Sequence, residues 1–261
     1  MKNFKYAVMV LLAATLLSCS SDDETATISG EGNLTIEFDN AYNTSDLLLE
    51  TTTYSANNPE EIKINAVKYI VSNIRLEDDN GNIFVYPKNE SYFIVNESDV
   101  SSQFISLKNI PAANYTKLTF GIGVDQEKYQ QGAEGQGAFL EQATEEGMMW
   151  SWQAGYKFLV YEGLFTSTEF PEETAFAIHM GSHGSALDNY KEVTVNLPVS
   201  AKLRTNKTPE IHVISDVSKI LNGPNKLYLE EKSQIHVDPE KAPLIAENVT
   251  TMFSVDHVHN E

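Results

Sequence analysis

Apolar and polar residues alternate in Leu34-Thr-Ile-Glu-Phe, and the same period returns in Leu118-Thr-Phe-Gly-Ile-Gly-Val and Val193-Thr-Val-Asn-Leu. A period of two marks a strand with one buried face. Between Ile62 and Tyr86 two apolar runs flank Asp78-Asp-Asn-Gly-Asn82. Asn80-Gly81 supplies the positive φ angles of a tight hairpin turn, a better account of this segment than calcium binding by its Asp and Asn side chains. Gly155 to Gly163 is strongly strand-like, with a glycine at each end. The rhythm breaks from Gln130 to Gly147, which is rich in Gly and Glu. There Ala138-Phe-Leu-Glu-Gln-Ala-Thr-Glu-Glu146 predicts a short helix inside a long loop. Ala242 to Val255 predicts a second helix, with Ile245, Val249, Met252 and Phe253 on one face. The pattern predicts an all-β fold: an antiparallel β-sandwich with a few short helices and long loops, in one domain over residues 30–261.

The N-terminus changes the picture by giving an address. Met1-Lys-Asn-Phe-Lys5 is basic, Tyr6 to Leu17 carries no charge, and Leu16-Leu-Ser-Cys19 follows. That order predicts a lipoprotein signal over residues 1–18, with Cys19 the lipidated residue of the mature chain. The apolar run is too short to span a bilayer as a stable helix, so the membrane is reached through the lipid anchor. Cys19 is the single cysteine, which excludes an intrachain disulfide. Residues 19–29 read as an acidic linker, and Ser20-Ser-Asp-Asp-Glu24 resembles the tag that sends Bacteroidetes lipoproteins to the outer face of the outer membrane, the periplasmic face being the other address. The formal net charge of −19 argues against a nucleic-acid partner and favours cation affinity.

Candidate chemistry gathers in three places. Gly147-Met-Met-Trp-Ser-Trp-Gln-Ala-Gly-Tyr-Lys-Phe158 holds both tryptophans of the chain. On a regular strand Met148, Trp150 and Trp152 would stand in one row, forming an aromatic and thioether wall. His179 and His183 fall in Ala177-Ile-His-Met-Gly-Ser-His-Gly, and His257 and His259 in Asp256-His-Val-His. Two histidines two apart on a strand share a face, roughly 6–7 Å apart at the backbone, and suit one metal. His179 and His183 would be about 13 Å apart on an extended strand, so Gly181 must bend the chain for them to converge. Imidazole with thioether suits copper(I), whereas a carboxylate-rich set with His suits zinc or a harder ion. No Gly-x-Ser-x-Gly, His-Glu-x-x-His or phosphate-binding glycine loop occurs, which favours a binding protein over an enzyme.

On Met148-x-Trp-x-Trp-x-x-Gly-Tyr-x-Phe158, Phe176-x-x-His-x-Gly-Ser182 and Asp256-His-x-His259, the chain resembles the MbnP-like copper-binding family of exported proteins. The resemblance implies copper(I) held by two imidazoles near a tryptophan oxidised to kynurenine, here Trp150 or Trp152. It also implies a dihaem MauG-like oxidase and an outer-membrane transporter as partners. The resulting expectation is a surface lipoprotein that binds copper, or a similar transition metal, for uptake or sequestration. Its site would join Met148, Trp150 and Trp152 to His179 and to His257 or His259, with His183 a further candidate. The rival expectation is a metal-free binding module whose tryptophans stack on a glycan or a protein partner.

Overall fold

A computed structural model describes residues 28–261; the signal, Cys19 and most of the acidic linker lie outside the described residues. The predicted strands form, joined by others that the sequence reading did not mark. The main ones are β1 (Glu31–Tyr42), β2 (Glu61–Asp78), β3 (Tyr92–Asn96), β4 (Phe104–Pro111), β5 (Ala113–Ile122), β6 (Leu159–Thr166), β7 (Thr174–Met180), β8 (Lys191–Leu203), β9 (Glu210–Asp216), β10 (Gln234–His236) and β11 (Phe253–His259). Among the described residues there are a five-stranded sheet, a nine-stranded sheet and a two-stranded hairpin. The first sheet runs β11-β9-β1, with β4 also on β1; the second runs β8-β5-β2-β6-β7-β10, with β3 also on β2.

Alternation decides which side of each strand is buried. In β1, Leu34, Ile36 and Phe38 are fully enclosed; in β9, Ile211 and Val213 are. The two sheets meet through aromatic rings: Phe38 of β1 lies 5.3 Å from Phe120 of β5 and 6.3 Å from Tyr69 of β2, and Phe253 of β11 lies 5.0 Å from Phe120. Edge-to-face contacts of this kind add to the area they bury. Among the buried polar groups, the Tyr69 hydroxyl donates across the sheets to Asn40 Oδ1 or Ser215 Oγ, each 3.0 Å away.

The β-sandwich with few helices is therefore what the chain adopts, with local departures from the expectation. The pairs β1/β9 and β7/β10 run parallel, so the sheets are mixed rather than purely antiparallel. The C-terminal helix stops at Val249, and Met252 and Phe253 reach the core from a turn and from β11 instead. The strand predicted from Gly155 to Gly163 breaks at Lys157–Phe158, where the buried Phe158 ring fills the space in which a side chain on Gly123 would stand. In the turn after β2 only Gly81 has positive φ. Asp78 Oδ1 there accepts the amides of Asn80 and Asn82, both at 2.8 Å, so the carboxylate serves the turn.

Candidate metal centre

The tryptophan segment is delivered by a chain of local devices. At the end of β5, Asp125 caps the short helix Gln126–Tyr129 by accepting the Lys128 amide. The glycine-rich stretch then leads to the predicted helix, Ala138–Glu145. Beyond it, Met149–Ser151 pairs with Gly155–Tyr156 to make the small hairpin. This strand is three residues long, so the expected row of side chains does not form. Met148 is fully buried, and Trp152 sits in the turn, stacked on Tyr129 at 5.0 Å and 29°. The Tyr129 hydroxyl also donates to the Trp152 carbonyl at 3.0 Å. Trp150 goes elsewhere: the far edge of its indole lies 3.2 Å from where a Cβ on Gly181 would stand. The two rings thus serve different neighbours instead of forming a shared platform.

Gly181 follows β7, two residues beyond His179. In β7, Ile178 and Met180 are fully buried, which turns His179 to the outer face of the nine-stranded sheet. Its parallel neighbour β10 sets His236 directly opposite, with the two Nδ1 atoms 2.8 Å apart and the ring centroids 4.5 Å apart. On the other side, His179 Nε2 lies 2.5 Å from Glu162 Oε1 of β6. A carboxylate only accepts, so Nε2 carries the proton and the Nδ1 lone pair faces His236. Burial lowers the His179 pKa below the ordinary value, against the pull of Glu162; the nearby Lys157 ammonium acts in the same direction as burial. The shift favours the neutral ring that a metal ligand must offer.

The other predicted ligands lie apart from this pair. His183 is exposed, with Nδ1 3.3 Å from the Ala154 carbonyl, so the bend at Gly181 does not bring it to His179. His257 and His259 do share a face, with their Nε2 atoms 2.9 Å apart, but they stand on the outer side of the five-stranded sheet. The core separates them from His179, and the expected joint pocket is not formed.

With this geometry in place, the sequence model of the MbnP family is found to match residues 31–238. The chain belongs to the MbnP family. Among solved structures, MbnP from Methylosinus trichosporium is similar, at 14% identity over 72% of this chain and 76% of that chain, with a TM-score of 0.45. No curated protein matches. The MbnP match takes in the tryptophan hairpin, Glu162, His179 and His236, and it ends before His257 and His259.

Sequence reasoning about this MbnP-family chain missed His236 and Glu162. Glu162 lies in the strand predicted from Gly155, and its place beside His179 is set by the β6/β7 register. His236 stands alone in sequence, 57 residues from His179, and its three-residue strand is too short to announce a parallel pairing.

Proposed function

We propose that this MbnP-family protein binds copper(I) between His179 and His236 and serves in copper uptake or sequestration outside the cytoplasm, as the export pattern ending at Cys19 suggests. One observation carries the reading: two imidazole nitrogens face one another, and the far nitrogen of one ring, half-buried His179, is engaged by a carboxylate. Nitrogen ligands of this kind suit copper, and a carboxylate on the far nitrogen fixes the tautomer and raises ligand basicity. Metal–nitrogen bonds of roughly 2 Å require the two rings to part by about an ångström, so that copper takes the place of the proton now shared between them. Trp150, which rests against Gly181 two residues beyond His179, is the tryptophan whose oxidation to kynurenine would alter the surroundings of the ion; Trp152 is engaged by Tyr129.

Competition titration against a copper(I) chelator tests the reading. His179→Ala and His236→Ala are each expected to lower affinity by about two decades or more, and Glu162→Gln by roughly one. Unchanged affinity in both histidine variants would refute the site.

A further inference from the structure

The outer face of the five-stranded sheet carries a second group of ionisable side chains. Glu37 and Asp39 come from β1, His212 from β9, and Asp256, His257 and His259 from β11. For β1 and β9 the cause is alternation, since Ile36, Phe38, Ile211 and Val213 between them are fully buried. On β11 strict alternation would send Asp256 and His257 to opposite faces. A bulge prevents this: His212 pairs with His257 and Val213 with Val255, leaving Asp256 as the extra residue. An extra residue lets two successive side chains leave by the same face. Ligand atoms of His212, Asp256 and His257 consequently lie within 4.8 Å of one another.

The protons can be assigned from the partners. His212 Nε2 stands 3.2 Å from Asp39 Oδ2 and 3.6 Å from Glu37 Oε2, so it bears the hydrogen, and Nδ1 has the lone pair. That Nδ1 is enclosed, has no hydrogen-bond partner among the described residues, and faces Asp256 Oδ2 at 3.7 Å. An enclosed lone pair looking at a carboxylate is costly unless a cation lies between them. His257 Nδ1 is 2.7 Å from the same Asp256 oxygen and carries the hydrogen in the metal-free protein; a cation there takes the place of that proton, and the ring then holds its hydrogen on Nε2, which faces His259. Each ring therefore turns one nitrogen to a common point and has a partner for the other, which is the arrangement ligating histidines require.

We propose that His212 Nδ1, His257 Nδ1 and Asp256 Oδ2 form a second metal site for a divalent first-row cation of zinc's class, oriented by Asp39, Glu37 and His259. A carboxylate among the ligands, with two more behind them, suits such an ion better than copper(I). Tetrahedral bonds of about 2.0–2.1 Å place ligand atoms roughly 3.3 Å apart, so modest side-chain rotations close the set. Three protein ligands leave a fourth position for water. This site shares no residue with the copper pair, and neither reading depends on the other.

Zn2+ titration of chelator-treated protein by calorimetry decides the matter. The His179→Ala/His236→Ala variant should retain saturable Zn2+ binding. His212→Ala, His257→Ala and Asp256→Asn should each weaken it about a hundredfold, and His259→Ala about tenfold, with copper(I) affinity unaltered in all four. Asp256→Asn changes an exposed side chain, and its thermal melt guards against misfolding as the cause. The site is overturned if the His179→Ala/His236→Ala variant takes up no Zn2+, or if His257→Ala and Asp256→Asn bind Zn2+ as the unaltered protein does.

Discussion

Asp125 shows how one residue supports a site it does not touch. Its side chain is 14% exposed and accepts hydrogen bonds from Asn73 Nδ2 at 2.8 Å, the Tyr92 hydroxyl at 2.6 Å and Lys88 Nζ at 2.9 Å. Burial alone would raise its pKa, but these bonds outweigh burial and bring the carboxyl down to about 2 from 3.8. A carboxylate with a depressed folded-state pKa stabilises the fold above the unfolded value, and that contribution is lost as pH falls through the folded one. Here the window runs from about pH 4 down to about pH 2, and the shift corresponds to roughly 2 kcal/mol. Asp125→Asn is expected to lower stability at pH 7 by about that amount and to flatten the loss of stability with acid. Urea midpoints measured from pH 7 down to pH 3 check this; equal slopes for the two proteins would count against it. The helix that Asp125 caps carries Tyr129, which holds Trp152, so the effect reaches the tryptophan hairpin.

At the scale of elements, the meeting of the hairpin with the end of β7 is the sensitive joint. Gly181 is needed there for space: a Cβ would run into the Tyr156 carbonyl and meet the Trp150 indole at 3.2 Å. Overpacking a closed contact costs about 1–3 kcal/mol. Gly181→Ala should accordingly lower the melting temperature and shift Trp fluorescence, because the indole must move away from β7. If both readings stay unchanged, Trp150 does not rest on Gly181 in solution. The hairpin itself was not legible: the sequence marked a glycine-rich break before the tryptophans and a strand from Gly155, but the turn holding Trp152 packs against Tyr129, a contact of the tertiary structure.

For the whole molecule, one continuous hydrophobic core draws on both sheets and on the C-terminal helix, with Ile245 and Val249 fully buried in it. The histidine groups stand on the outer faces, so the core closes without them. A chain of this size buries enough apolar surface to fold without a metal. Thermal melts with and without chelator should both be cooperative, with bound metal adding only the amount that mass action allows. A chelated protein with no cooperative transition would show that metal belongs to the fold.

What the sequence determined by itself were properties that repeat locally. Alternation marked the buried faces of β1, β5 and β8, composition marked the break before the tryptophans, and Asp256-His-x-His259 placed two imidazoles on one face, because side chains two apart on a strand must share it. Tertiary structure alone decided which groups meet. His179 finds His236 through the register of a parallel pair, His257 finds His212 across an antiparallel one, and a single extra residue turns Asp256 toward both. Register links residues far apart in the chain and a bulge shifts the phase of alternation by one, so neither leaves a periodic trace in the sequence that contains it.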